Sequence, residues 1–309
     1  MTVVPRLDWR SANVTGRLLT RPGPEASHGE VAAVAADLRA SAERAVDAVA
    51  AASRLPVPPA GEVLIVGRAG WQRAATTMTR AMLATLGRPE PGWLPRLAAP
   101  AAGVQVGAAF AFLGSRILGQ FDPFTPAAAP GGRLLLVAPN IVVAERSMGA
   151  EPHGFRQWVC LHEVTHRFQF GAAPWLAGHL LGLMRNLLDD GDDPGALDEL
   201  TAVMSLIEGH ADVTMDRAGV GLVPELRRLR AAVEARRDAP GMVQLVARLL
   251  GLRAKREQYR RGATFCRGVI DIAGPDALNG AFETPAQLPA LAELADPAGW
   301  LRRVAGRGR

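Results

Sequence analysis

The segment CLHEVTHRFQF, residues 160–170, contains two histidines four residues apart, with a glutamate directly after the first. On a helix, residues at i and i+4 project from one face, so the imidazoles of His162 and His166 are able to bind a single cation. Glu163 lies beside the pair, where its carboxylate can accept a proton from water that the cation activates. The spacing therefore predicts two ligands of a Zn²⁺ site and its general base.

A catalytic zinc site needs a third protein ligand. The extended motif, with a glycine three residues and a histidine six residues after the pair, is excluded because Gln169 and Ala172 occupy those positions. A second segment, LDELTAVMSLIEGHADVTMD (197–216), has the periodicity of a buried helix and contains Glu208, His210 and Asp212. Glu208 and Asp212 share one face of that helix, whereas His210 points to another side.

We expect Glu208 to complete the ligand set and Asp212 to accept the outer N–H of a ligand histidine. His210 is the alternative third ligand. If it is not a ligand, it is either a core histidine bonded to a backbone carbonyl or a catalytic donor to the developing oxyanion. Tyr259, the only tyrosine, lies in KREQYRRG and is a second candidate for the oxyanion role, the alternative being a tyrosine packed on a helix.

The composition indicates a folded globular chain of 309 residues, with 49% hydrophobic and 21% charged residues. The net charge of +5 comes almost entirely from arginine, since Lys255 is the only lysine. No arginine cluster alternates with aromatic residues, so we expect solvated helix faces and no nucleic-acid partner. Two cysteines and an N-terminus without the pattern of a signal peptide favour a cytoplasmic location.

An uncharged stretch between Arg96 and Arg116 approaches the length of a membrane span, but Pro100, Gln105 and several glycines and alanines interrupt it. We expect a buried helix here and no stable membrane insertion. The chain has neither a G-x-G-x-x-G motif after a strand nor a P-loop, so no nucleotide cofactor is predicted.

The sequence predicts a mainly α fold with a small strand element. Residues 1–150 form an N-terminal helical region with two short strands, in VLIVGRAGW (63–71) and RLLLVAPN (133–140). Ser27 and Glu30 predict a capping box, PEPGWLPRLAAP a loop, and GVQVGAAFAFLGSRILGQFDPF a helix that stops at Asp122-Pro123. Residues 151–309 are a helical, metal-binding region, and the two regions are expected to form one compact unit.

Several separated motifs give the chain a resemblance to a known family. They are VGRAGW, FLGSRILGQFDPF, LLLVAPNIV, RQWVCLHEVTHRFQFGAAPWL, IEGHADVTMD and KREQYRRGATFC, and together they span most of the chain. The chain resembles the zincin-like zinc metalloproteases common in actinobacteria, often labelled as associated with biosynthesis of the deazaflavin coenzyme. The resemblance implies a zincin-type fold, zinc bound by His162 and His166, Glu163 as catalytic base, and a third ligand from the Glu208 helix.

The favoured hypothesis is therefore a zinc metallopeptidase that hydrolyses amide bonds in a peptide or protein substrate. One alternative is a non-catalytic protein that keeps the fold as a binding scaffold. Glu163 argues against it, because a purely structural zinc site needs no base and usually has a fourth protein ligand. Another alternative is a hydrolase of a small amide or ester.

Overall fold

The structure is a computed structural model that describes residues 2–89, 91–125, 130–190, 193–235 and 257–307, without the side chains of residues 89, 233–235, 257–260 and 307. Its helices are α1 (Trp9–Leu19), α2 (His28–Ser53), α3 (Arg68–Leu86), α4 (Trp93–Gly114), α5 (Ala138–Met148), α6 (Pro152–Ala172), α7 (Leu176–Asp189), α8 (Pro194–Gly219), α9 (Leu226–Ala235), α10 (Glu257–Ala273), α11 (Pro275–Asn279) and α12 (Pro297–Arg307). Three short 3-10 helices span Gly280–Phe282, Pro285–Gln287 and Ala292–Ala295.

A three-stranded sheet lies among these helices. Its strands are β2 (Glu62–Val66), β4 (Gly119–Asp122) and β5 (Arg133–Val137), in the order β2-β5-β4. β2 runs parallel to β5, and β4 pairs antiparallel with the other side of β5. Two further strands, β1 (Val3–Val4) and β3 (Arg88–Pro89), form a separate parallel pair. The predicted mainly α fold with a small strand element is confirmed.

The central strand β5 separates two hydrophobic cores. Because side chains alternate along a strand, Leu134 and Leu136 face the larger core, while Leu135 and Val137 face the smaller one. The larger core contains the buried faces of α2, α6, α8 and α10, and the smaller one contains Trp71 of α3 and residues of α4. Burial on both faces explains why β5 is apolar from Leu134 to Val137.

Both helices that contain the predicted ligands start in the same way. An acidic residue caps the helix and a proline occupies its first position, where a missing N–H costs no hydrogen bond. Glu151 accepts from the backbone N–H groups of His153 and Gly154 at the start of α6. Asp193 accepts from those of Gly195 and Ala196 at the start of α8. The first turns of α6 and α8 are therefore fixed by local sequence.

The segment before β5 differs from the prediction. α4 begins at Trp93, inside the expected loop, and ends at Gly114 rather than at Asp122. The Asn140 side chain donates to the carbonyls of Gly114 and Ile117, both at 2.7 Å, and so satisfies the end of the helix. Residues after it pair with β5 and form a third strand of the sheet. The predicted strands at 63–66 and 133–137 are confirmed, as are the capping box at Ser27 and the turn into α3.

Among the described helices, only α4 is long and apolar enough to cross a membrane, and 39% of its most apolar 18-residue window is buried. One face packs into the smaller core through Phe110 and Leu113, while other side chains are exposed. The expectation of a buried helix therefore holds for one face only. The sequence also predicts a helix break at Pro240-Gly241, and these two residues lie outside the described part of the chain.

Candidate metal centre

The predicted histidine pair lies on α6, opposite α8. The Nε2 atoms of His162 and His166 are 3.1 Å apart, and the two rings are nearly perpendicular at 89°. Glu208 on α8 faces them, with Oε2 3.6 Å from the Nε2 of His162 and Oε1 4.0 Å from that of His166. One nitrogen or oxygen from each of the three side chains lies within 4.8 Å of the others. The structure thus brings together the three residues predicted as ligands.

The spacing of these donors suits one zinc ion. In a tetrahedral site with bonds of about 2.0–2.2 Å, ligand atoms are about 3.4 Å apart. The separations of 3.1, 3.6 and 4.0 Å lie on both sides of that value, so small side-chain movements suffice. All three residues are partly exposed, and no fourth histidine, cysteine or carboxylate joins the group within the described ranges. The three donors therefore fit a zinc site whose fourth coordination position is open to water or substrate.

A buried glutamine orients one of the two imidazoles. The Oε1 atom of Gln169 accepts a hydrogen bond from the Nδ1 of His166 at 2.8 Å, which leaves the Nε2 lone pair free for a metal. The Gln169 amide nitrogen donates to the Ile207 carbonyl at 2.8 Å and to Nδ1 of His210 at 3.1 Å. These two acceptors on α8 fix the direction of the amide. Sequence reasoning missed this role, although Gln169 is three residues after His166 and so on the same helix face.

His210 lies behind that glutamine and outside the group of converging donors. It is 2% exposed, and its ring packs edge-on against Phe282 at a centroid distance of 5.0 Å. Burial and the charge of His166 lower its pKa to about 3, with Asn279 acting in the opposite direction. His210 is thus neutral and connected to His166 through Gln169. A direct catalytic role for it stays a prediction.

Glu163 points from α6 towards the edge strand β4. A methyl group added at Gly119 would lie 2.6–2.7 Å from Cγ and Cδ of Glu163, so only glycine allows this close approach. The residue is 8% exposed. Burial raises the pKa of Glu163 to about 7, the charge of His162 opposes the shift, and that of Glu208 adds to it. A carboxyl group with this pKa is suited to take up and release a proton near neutral pH.

The pKa of His162 is raised as well, which favours the charged form of its ring. Burial lowers its pKa, but the hydrogen bond and charge of Glu208 and the charges of Glu163 and Asp212 outweigh burial and raise it to about 9 in the metal-free chain. Asp212 therefore affects His162 through its charge, and it lies 4.0 Å from the Arg230 guanidinium. Gln169 orients His166, and the expected hydrogen bond from a ligand histidine to Asp212 stays a prediction.

Tyr259 and Cys160 lie on α10 and α6, respectively. Tyr259 is in the first turn of α10, and its side chain lies outside the described part of the structure, so its oxyanion role stays a prediction. Cys160 is buried on α6, with Sγ 3.7 Å from the Leu38 carbonyl, and burial raises the pKa of its thiol. It belongs to the core and not to the metal site.

Comparisons with known proteins agree with this geometry. A family model described as zincin-like metallopeptidase matches residues 7–194 and 189–301. A crystal structure from Chloroflexus aurantiacus, described as that of a candidate hydrolase with a novel fold, is 27% identical, covers 97% of this chain and 99% of its own, and superposes with a TM-score of 0.77. No curated protein matches the chain. Neither match concerns an actinobacterial origin or the deazaflavin coenzyme. The origin and the link to the coenzyme therefore stay predictions.

Proposed function

The chain belongs to the zincin-like metallopeptidase family, and on that premise we propose that it is a zinc-dependent peptidase. His162, His166 and Glu208 hold the ion, and Glu163 is the general base. The observation that carries the proposal is the convergence of the three donors within 4.8 Å, beside a buried carboxyl group on the same helix as the histidine pair.

Each residue has a distinct task in amide hydrolysis. A zinc ion held by these residues would supply Lewis acidity towards the substrate carbonyl and would lower the pKa of water to about 7. Gln169 fixes the His166 ring so that its Nε2 would face the ion. Glu163 takes the proton that the attacking water loses and passes it to the nitrogen of the leaving amine, so that a carboxylic acid and an amine form. The backbone of β4 at Gly119 lies directly against the Glu163 side chain. This contact limits the positions from which the Glu163 carboxylate exchanges that proton.

The donor set also favours catalysis over a structural zinc site. Structural sites are closed by four protein ligands, whereas catalytic sites have three and an open position. Three donors converge in the described part of the chain, and all three are partly exposed. Glu163 adds a base that a structural site does not need. These features support a hydrolase rather than a scaffold.

Metal content tests the ligand assignment. We expect one zinc per chain in the wild type and in Glu163→Gln, and none in His162→Ala, His166→Ala or Glu208→Ala, by elemental analysis after dialysis. His153→Ala is the matched control, because His153 is also on α6 but binds Asp37 instead. Zinc that survives Glu208→Ala but is lost in His210→Ala would assign the third ligand to His210.

Cleavage tests the reaction. Incubation with a peptide library, read by mass spectrometry, should give new termini with the wild type and at least about 100-fold fewer with Glu163→Gln. Glu199→Gln, an exposed carboxylate on α8 that pairs with His179, should retain activity. A zinc-loaded wild type that cleaves no peptide contradicts the peptidase proposal. Turnover of small amides or esters would then assign a different hydrolase, and no turnover would favour the scaffold.

A further inference from the structure

The outer face of α4 is apolar and exposed along the whole helix. Leu97 shares this face with Ala101, Val104, Ala108 and Phe112, which follow it at helical spacing. We call this face the α4 stripe. The large side chains exposed on α4 are Trp93 at 67%, Leu94 at 61%, Leu97 at 70%, Val104 at 45% and Phe112 at 47%. No charged residue occurs between Leu97 and Ser115. Single exposed apolar residues are ordinary, but a continuous stripe of this length indicates a contact surface.

α1 packs against α4 and also exposes apolar side chains. The helices pack closely, since a methyl group added at Gly103 would clash with the Asp8 carbonyl and one at Gly107 with the Ala12 carbonyl. α1 exposes Leu18 at 79% and Val14 at 51%, which are one turn apart. Two adjacent helices thus present large apolar side chains to solvent.

The three helices α1, α3 and α4, which pack against one another, are strongly basic. α1, α3 and α4 contain six arginines and no acidic residue, which is more positive charge than the whole chain's net charge of +5. Arg10, Arg17, Arg73, Arg80 and Arg96 are exposed. Arg116, just after α4, holds its guanidinium 3.7 Å from the ring centroid of Phe112. The three mutually packed helices therefore carry both exposed apolar side chains and exposed arginines, with Asp8, the cap of α1, as the carboxylate beside Arg10.

We propose that the α4 stripe binds an anionic phospholipid surface. The helix lies in the plane of the interface, with its apolar side chains among the acyl chains and the arginines at the headgroups. Trp93 and Arg96 at one end of the stripe are typical of residues at that boundary. The opposite face of α4 is part of the smaller core, so the helix binds peripherally and does not span the bilayer.

Charge favours lipid over a second copy of the chain. Two copies joined through this stripe would bring together arginine-rich helices that contain no carboxylate, with Asp8 at the start of α1 as a single neighbouring acidic group. An anionic headgroup supplies the missing negative charge. This inference does not depend on the proposed peptidase activity.

The test is co-sedimentation of the full chain with vesicles of phosphatidylcholine alone or of mainly phosphatidylglycerol. We expect binding only to the anionic vesicles, weakened about tenfold by Leu97→Gln and about fivefold by Arg96→Gln. Ile272→Gln and Arg302→Gln are matched controls, because both residues are exposed on other helices, and each should bind like the wild type. Far-ultraviolet circular dichroism checks that every variant is folded.

Fluorescence gives a second readout. Trp93 should shift to shorter wavelength on anionic vesicles, and Trp93→Phe should lose most of this shift while still binding. Equal binding to both kinds of vesicle, or binding by Leu97→Gln equal to that of its control, would overturn the proposal. A wild type that is dimeric in solution and becomes monomeric in Leu97→Gln would instead identify the stripe as an interface between copies.

Discussion

At the scale of single residues, His162 should carry a proton near neutral pH whenever no metal is bound. The pKa of His162 is raised to about 9, so at neutral pH zinc must displace a proton from this ring. We predict that apparent zinc affinity increases about tenfold per pH unit between about pH 6 and about pH 8. Competition with a chelator at several pH values measures this slope.

The matching calorimetric observation is the release of about one proton per zinc near neutral pH, read from the dependence of binding enthalpy on the buffer. His210, with its pKa lowered to about 3, stays neutral over this range and contributes no proton. An affinity that does not change with pH would mean that His162 is not a ligand or is already neutral.

Gln169 should matter for affinity although it is not a ligand. Gln169→Leu removes the acceptor for His166 and leaves the ring free to rotate, so we predict zinc binding about 10–100-fold weaker. The control is Gln157→Leu, because Gln157 is a buried glutamine on the same helix whose amide bonds to the Ser41 carbonyl instead. Equal losses in both variants would attribute the effect to general destabilisation.

The histidine pair and its glutamate could be predicted from sequence because helix geometry alone places them. Gln169 could not, because its partners Ile207 and His210 are 38 and 41 residues away and meet it only through the packing of α6 on α8. The third ligand could be predicted only in part. Helix periodicity limits the choice to Glu208 or His210, and only the relative rotation of the two helices brings Glu208 to the histidines.

At the scale of elements, β4 and α6 meet at Glu163, the proposed general base. We predict that Gly119→Ala keeps zinc but lowers peptide hydrolysis at least about tenfold, because the added methyl group displaces the Glu163 carboxylate. Gly178→Ala on α7 is the control, since a methyl group there meets nothing within 4 Å. Zinc content and cleavage rate measured on the same samples separate the two effects, and full activity in Gly119→Ala would exclude this contact as a constraint on the base.

The elements themselves were predictable to different degrees. Helix starts with local signals, such as the capping box of Ser27 and Glu30, follow from sequence because the hydrogen bonds lie within four residues. β4 does not, since its four residues become a strand only by pairing with β5 and its sequence continues an apolar helix. Tertiary pairing here overrides the local pattern.

At the scale of the whole molecule, the site draws on both sequence regions. α6 and α8 supply the ligands and belong to 151–309, whereas β4, which packs against the base, belongs to 1–150. α6 and α8 also form much of the larger core. A metal bound between them would link two helices at the centre of the fold, so occupancy of the site should affect the stability of the chain.

We therefore predict that zinc raises the thermal midpoint of unfolding. A ligand that binds only the native state at about 100 times its dissociation constant adds about 2.7 kcal/mol, or several degrees for a chain of this size. Calorimetry with a zinc buffer and with a chelator measures the shift, which should grow with free zinc in the wild type and Glu163→Gln and vanish in His162→Ala. His153→Ala should behave like the wild type, because His153 lies at the start of α6, where it binds Asp37 of α2. The same shift in His162→Ala would show that zinc acts at another place on the chain.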